Sequence, residues 1–499
     1  MMAVPVTSGR TLGDLLGARA GVHARLPISD IALNSSAVQP GCLFVAVAGQ
    51  RSHGLKYAAQ AVARGAVAIA FEPHTSLAPP AGVPAVAVPD LSAQLGTMAV
   101  SFFGQPAERL AMAAVTGTNG KTTVAYLVAS AMAQLERRCG YLGTLGVGVP
   151  PDLAPGALTT PDCFQLHRHL SDLSAASARY AALEISSHAL DQGRAAGVNY
   201  QTAVFTNLSR DHLDYHGDLD RYGRSKAKLF ASPGLRQAII NVDDAFGAQL
   251  AAELANRVPT LAITTQDRTS AHGTDVCHGE IAARSAGLTI RYRSPWGDGV
   301  MQSELLGAFN GQNLLLALAV LSSWNVDHAQ AAAALGACGP PPGRMEAFRP
   351  PGAGGPLVVV DFAHTPAALA AALNVLRPMT QGRLWCVFGC GGDRDAGKRP
   401  LMGAAAAERA DAIFLTSDNP RSEAPDAIVA QIQAGCAGHG ALQIELNRSA
   451  AIASAIAQAA PEDTVLVAGR GHETWQQVNG KRLPLSDRAE VAAALGGGP

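Results

Sequence analysis

Apolar residues along this chain gather in short runs bounded by polar or glycine-rich turns, and between the runs they recur at helical spacing. Short unbroken runs read as strands buried on both faces, and helical stretches between them predict parallel βαβ units. Residues 1–105 show runs at 42–47, 66–70 and 84–88, with a helical stretch over 55–64. Residues 106–340 open on the run 113–115 and continue with strands predicted at 180–185, 201–208, 237–242 and 260–264. A Gly/Ser/Arg-rich alternating stretch over 282–306 predicts an antiparallel excursion, followed by helices at 314–320 and 331–337. In residues 341–499 strands are predicted at 357–361, 384–388, 412–416, 442–445 and 464–468. Gly104-Gln105-Pro106 and Gly339-Pro340-Pro341-Pro342-Gly343 punctuate the pattern as linkers. The whole reads as α/β in three domains, and 499 residues agree with a prior of roughly one domain per 150.

Composition narrows the class. With 48% hydrophobic and 15% charged residues the chain suits a buried enzyme core, not a disordered segment. A net charge of −1, without a long basic run, points away from nucleic acid and from a membrane surface. The eight cysteines follow neither a disulfide nor a zinc pattern, and Cys386 and Cys390 read as core residues. The N-terminus lacks a basic-then-apolar signal, and no apolar run is long enough to span a bilayer, so a cytoplasmic protein is expected.

The densest chemistry lies at Thr116-Gly117-Thr118-Asn119-Gly120-Lys121-Thr122-Thr123, a strand, a turn with two glycines, then a helix start. Glycines let backbone approach phosphate oxygens, and the free N–H groups of a helix N-terminus favour negative charge. Lys121 supplies a cation for terminal phosphates, and the Thr122 hydroxyl is suited to magnesium. The usual Walker spacing wants glycine at 115, where Val115 stands, so the loop is a shortened variant. Glu184 ends one strand and is followed by Ser186-Ser187-His188; His212 follows another. Behind a phosphate loop both read as magnesium ligands, although each alone reads equally as a helix cap or surface residue. Composition alone makes Lys226 a solvated helix lysine. In the third domain the polar clusters 361–366, 389–394, 417–421 and 469–473 all follow strands, where the ligand crevice of an open α/β sheet lies. The first domain shows less: the turn Asn34-Ser35-Ser36 and the loop Gly49-Gln50-Arg51-Ser52-His53-Gly54, a solvated loop being the commoner reading.

The motifs TGTNGKTT (116–123), EISSH (184–188), DHLDYHG (211–217), Lys226 with Leu229-Phe230, DFAHTP (361–366), GCGGDRD (389–395), DNPR (418–421) and GRGHE (469–473) occur in this order. Over residues 30–490 the chain resembles the bacterial Mur ligases. The resemblance implies a UDP-binding domain at 1–105, an ATP-binding P-loop domain at 106–340 and a Rossmann-like amino-acid domain at 341–499. It also implies an ADP-forming ligation in peptidoglycan precursor synthesis: ATP phosphorylates the D-glutamyl carboxylate of a UDP-N-acetylmuramoyl dipeptide, and the amine of meso-diaminopimelate attacks the acyl phosphate. By that resemblance Gly117, Thr118, Asn119, Gly120, Lys121, Thr122, Thr123, Asn313, Arg344, Asp361 and His364 bind ATP. Asn310 matches beside Asn313, with helix capping as the alternative for both. Lys121, Glu184, His212 and Lys226 are the catalytic set. Thr122, Glu184, His212 and Lys226, the last as a carbamate (N6-carboxylysine), hold Mg²⁺.

Ser35, Ser36, Thr159, Thr160, Ser186, Gln192 and Arg194 match the muramoyl-peptide site. Arg394, Asp418, Asn419, Arg421, Gly469 and Glu473 match the diaminopimelate site. A guanidinium offers two parallel bonds to the distal carboxylate that distinguishes diaminopimelate from lysine. Two departures stand out: Asn34-Ser35-Ser36 where the family carries Asp-Ser-Arg, and Arg470 where lysine is common. The alternatives are the same ligation with L-lysine or another diamino acid, and a folylpolyglutamate-synthase-like ligase; a nucleotide switch would not need the catalytic set. The partners implied are small molecules, with monomer the default.

Overall fold

A computed structural model of the protein describes residues 9–49, 52–266, 274–284, 287–350 and 354–496; Gln50 and Arg51 of the first-domain loop lie outside the described residues. The chain divides into two compact units, one of residues 1–116, 132–203 and 225–237, the other of 117–131, 204–224 and 238–499.

The first unit begins with a four-stranded parallel sheet in the order Asp30–Ala32, Cys42–Ala46, Ala66–Phe71, Ala85–Ala87. Cys42–Ala46 is wholly buried, because helices and turns cover both faces of the sheet. The helical stretch expected at 55–64 splits into a 3-10 turn, Gly54–Tyr57, and a short helix, Ala58–Ala63. Further on, Cys139–Gly143, Tyr180–Glu184 and Ala111–Thr116 lie side by side and parallel, and Gly146–Val149 and Asp152–Ala154 extend the row antiparallel. The strand Cys139–Gly143 was not expected. It is short, carries two glycines and is buried throughout, so it shows no alternation.

In the second unit Gln237–Asn241, Thr260–Thr264 and Asp275–Arg284 run parallel, and Gly287–Arg293 and Gly299–Ser303 then turn antiparallel. The antiparallel excursion therefore starts earlier than the alternation suggested. The apolar helix is longer than its densest stretch, Ala308–Ser323, and is buried nearly all round. The final sheet has six strands in the order Glu346–Phe348, Leu357–Asp361, Thr464–Ala468, Leu384–Phe388, Ala412–Leu415, Leu442–Ile444, antiparallel only at its first pair. One face packs on Leu369, Leu373, Met402 and Ile432, the other on Ile452, Ile456 and Val491. An α/β protein with parallel sheets is what the hydrophobic pattern predicted. All eight cysteines are buried free thiols. No helix among the described residues is long and apolar enough to cross a membrane.

Candidate active site

The phosphate loop lies in the second unit between strand and helix. Gly117 sits at φ +149°, where a Cβ would fall 1.8 Å from the Thr206 hydroxyl, so only glycine fits. A mesh of short bonds fixes the loop to residues 206–209. Thr118 N donates to Asn207 O at 2.8 Å, Asn119 N to Asn207 Oδ1 at 3.0 Å, and the Thr206 hydroxyl to Asn119 O at 2.5 Å. The Lys121 ammonium folds back to donate to Gly117 O (2.9 Å) and Thr118 O (2.8 Å). Thr122 and Thr123 open the helix Lys121–Gln134 and are buried. Around this loop the second unit brings together the other residues expected at the nucleotide. Arg344 Nη2 donates to the Thr122 hydroxyl at 3.1 Å, and its guanidinium lies 4.3 Å from the centre of the Phe362 ring. Asn313 approaches Gly120, where a Cβ would lie 2.6 Å from its Oδ1. Asn310 serves its own helix start, donating to Leu306 O at 2.8 Å and accepting from Asn313 at 3.0 Å. Asp361 accepts from Met345 N at 2.7 Å; burial raises its carboxyl, against the pull of Arg344.

Asp211 joins two expected residues, with His212 Nε2 at 3.4 Å and His364 Nε2 at 3.7 Å from its Oδ2. Burial works against its charge, but His364, His212 and Lys398 outweigh it and hold the carboxyl far below its ordinary range. His212 itself holds a left-handed backbone, φ +53°, at the start of the helix Leu213–His216.

In the first unit Glu184 is fully buried at the end of its strand. Its Oε1 accepts from the Tyr141 hydroxyl (2.5 Å) and Thr144 N (2.8 Å), and its Oε2 from the Thr144 hydroxyl (3.1 Å). Thr159 reaches the same knot through Thr144, 3.0 Å between hydroxyls. Thr160 donates to Glu184 O at 2.8 Å and accepts from Ser186 N at 3.0 Å. Ser186 caps the helix Ser187–Asp191, while Gln192 accepts from Arg194, which also donates to Thr160 O at 3.1 Å. Five expected muramoyl-side residues thus form one network with Glu184. Ser35 and Ser36, in a 3-10 turn, bond instead to the helix Ala58–Ala63 and its end: Ser35 to Gln60 at 2.8 Å, and Ser36 O to the Arg64 guanidinium at 3.1 Å. Arg64 thus brings a cation to the turn that lacks the family's arginine. Lys226, on the helix Leu219–Ala227, is 1% exposed. That is far from the solvated lysine composition suggested.

The third-domain clusters meet at the carboxyl ends of the last sheet. Arg421 has a left-handed backbone, φ +53°, and donates to Gly392 O at 2.5 Å. Burial and the neighbouring Arg394 lower the Arg421 guanidinium, with Asp418, Glu473 and Asp393 opposing. Gly469, φ +117°, has no room for a Cβ, which would lie 2.4 Å from Asp418 Oδ2. Burial raises Glu473, and Arg470, 3.3 Å away, pulls it back. Asn419 accepts from Gln477 N at 3.0 Å. Among the described residues no group of three or more His, Cys, Asp and Glu side chains stands ready to hold a metal by itself.

Sequence reasoning did not find Tyr141, Thr144, Arg448 or Asp487. Thr144 has the one available signal, its place in a glycine-flanked turn after a buried run.

A P-loop unit followed by a Rossmann-like sheet with its polar groups at the strand ends is the build of a nucleotide-dependent ligase. Family models match along the chain in succession: Mur ligase family, catalytic domain, over residues 27–103; Mur ligase middle domain, over 115–321; and Mur ligase, glutamate ligase domain, over 343–471. The chain belongs to the Mur ligase family. It is 46% identical over 480 residues to the UDP-N-acetylmuramoyl-L-alanyl-D-glutamate--2,6-diaminopimelate ligase of Alkalilimnicola ehrlichii, covering 94% of this chain and 95% of that one. The enzyme of the same name from Pseudomonas aeruginosa is 46% identical over 471 residues, with 94% and 95% covered. A solved structure of a UDP-N-acetylmuramoyl-L-alanyl-D-glutamate--2,6-diaminopimelate ligase is 35% identical, covers 98% of this chain and 99% of its own, and has a TM-score of 0.68.

Proposed function

We propose that this chain is the ADP-forming ligase that joins meso-diaminopimelate to the D-glutamyl carboxylate of UDP-N-acetylmuramoyl-L-alanyl-D-glutamate. It works as a cytoplasmic monomer, residues 1–105 binding the uridine end, 106–340 ATP and 341–499 the amino acid. One observation carries the choice of amino acid. Arg394 is close enough to Arg421 to disfavour the charge of Arg421, beside the half-buried carboxyl of Glu473. Two guanidiniums in that position favour an added carboxylate, and Glu473 suits an ammonium. A zwitterion with a distal carboxylate satisfies both; lysine's terminal ammonium would meet like charge.

A carboxylate is a poor electrophile because its leaving group would be oxide. Transfer of the γ-phosphoryl gives an acyl phosphate; the diamine's nitrogen attacks the carbonyl carbon, the amide forms and phosphate leaves. Lys121, now bonded to two carbonyls of its own loop, exchanges them for phosphate oxygens when ATP binds. Arg344, Asn313 and the loop amides hold the nucleotide in line with the acid. Thr159, Thr160, Ser186, Gln192 and Arg194 hold the dipeptide, in a network already anchored on Glu184.

The donors present fit Mg²⁺. Glu184 is oriented by Tyr141 and Thr144, and Thr122 offers a hydroxyl at the loop. Each of these, and His212 and Lys226 likewise, is a candidate ligand for the ion, which when bound offsets the charge of phosphates and carboxylate. Lys226 is almost fully buried, and the neutral form of its amine is the one that adds to carbon dioxide. The new N–C bond and the loss of one proton leave a carbamate anion where a cation would repel the metal.

Phosphate release from ATP with purified protein, omitting each substrate in turn, tests the reading. Turnover that needs both the dipeptide and diaminopimelate supports it; equal turnover with L-lysine overturns the choice of amino acid.

A further inference from the structure

The loops that carry the proposed diamine site, 418–421 and 469–473, follow strands that are not neighbours. In the sheet Leu384–Phe388 lies between Ala412–Leu415 and Thr464–Ala468, so the two loop starts are separated by about 10 Å, twice the strand spacing. One buried side chain reaches both loop starts. Arg448, at the start of the helix Arg448–Gln458, is 2% exposed and donates from Nη1 to Ser417 O at 3.2 Å and from Nη2 to Ala468 O at 2.8 Å. These carbonyls immediately precede Asp418 and Gly469. The same guanidinium is gripped by Asp487, itself fully buried at the start of Asp487–Ala494, through Nε and Nη2, each at 2.7 Å. The planar fork thus meets two loops and a carboxylate at once, which lysine's point-like ammonium has no geometry to copy.

We infer that Arg448, held by Asp487, is a positioning residue that sets the separation of the two diamine-binding loops and so the affinity for the amino-acid substrate, without touching it. The inference rests on the function proposed above. Ion pairs this deep are costly to build and are no guarantee of stability, so a stabilising role alone does not explain why this one is aimed at two loop carbonyls. Arg470 works locally in the same frame, donating to Asp418 O at 3.1 Å and joining the second loop to the first.

The test compares Arg448→Lys and Asp487→Asn with Asp463→Asn. Asp463 is also buried, but it braces the amino ends of the strands through Arg383 N and the Trp385 indole. Arg448→Lys and Asp487→Asn should raise KM for diaminopimelate by about tenfold, the effect of one lost charge-assisted bond, with KM for ATP and for the nucleotide-dipeptide within about twofold. Hydroxylamine trapping of the acyl phosphate, which needs no diamine, should persist in both. Asp463→Asn should lower the melting temperature and leave KM for diaminopimelate in place. Equal rises in all three KM values, or a KM for diaminopimelate that does not move, overturn the inference. Amide exchange on the wild-type protein gives a check that does not depend on variants folding. Added diaminopimelate should slow exchange in 417–421 and 468–473 together, and protection of one loop alone overturns the bridge. Wild-type protein that consumes no diaminopimelate would instead sink the proposed function itself.

Discussion

The two units brace the carboxylates of their candidate sites differently. In the first, Glu184 accepts from a phenol, a hydroxyl and a backbone amide, all uncharged. In the second, guanidiniums meet carboxylates: Arg448 with Asp487, Arg399 with Glu423, Arg470 with Glu473. Neutral donors aim a carboxylate without cancelling it, which suits a group meant to meet a cation. Ion pairs cancel themselves and leave a stiff frame, in which Arg394 works against the charge of Arg421. Under the proposed function, Glu184 is the carboxylate aimed at a metal, and the arginine pairs are the frame around the zwitterion.

The largest break of this contrast is expected in the first unit. Lys226→Ala should cut turnover by about a hundredfold or more, since no other side chain would supply the carbamate's charge, and short carboxylates such as formate should restore part of it. Near-normal turnover without them would remove the carbamate. In the second unit Arg421→Ala should raise KM for diaminopimelate by about 30- to 1,000-fold, equivalent to about 2–4 kcal/mol of charge-assisted bonding, with KM for ATP steady. An unchanged KM would mean that another group reads the distal carboxylate. Tyr141→Phe removes one neutral donor and keeps the packing. It should raise the Mg²⁺ concentration for half-maximal phosphate release by about tenfold, measured by titration. The smallest effect concerns the scaffold. Arg399 and a backbone bond from Asp393 N depress Glu423 from an ordinary 4.5 to about 2. A carboxylate lowered on folding adds stability above its unfolded value, and that stability fades as pH falls from about 4.5 towards about 2. Urea unfolding of Glu423→Gln should show a flatter pH dependence across that window than the wild type.

The parts of the site that were legible in the chain are those where one stretch carries both strand and function. The loop at 116–123 declares itself because run, glycines, lysine and helix are consecutive, and the clusters after strands declare themselves by position. What stayed hidden depends on residues far apart in sequence or on backbone that shows no alternation. Arg448 and Asp487 meet across 39 positions, and each alone looks like an ordinary helix-start residue. Tyr141 sits in a strand without a period of two. The hairpin Trp475–Val478 and Lys481–Pro484 was also passed over, being exposed and polar, although Asn479-Gly480 between its strands is a turn dipeptide. Lys226 was misjudged from composition for a different reason: only packing decides whether a helix lysine is sealed.

That hairpin has a consequence for the role proposed for Arg421 in choosing the diamine. Arg421 gives its N–H to Gln477 O at 2.8 Å and takes one from Asn479 N at 2.7 Å, so its left-handed backbone is clamped on both sides. Few amino acids tolerate that conformation, asparagine, aspartate and glycine best among them, and β-branched residues worst. A lineage exchanging this arginine to accept another diamine would thus be steered towards a small polar replacement, whatever the new substrate asked for.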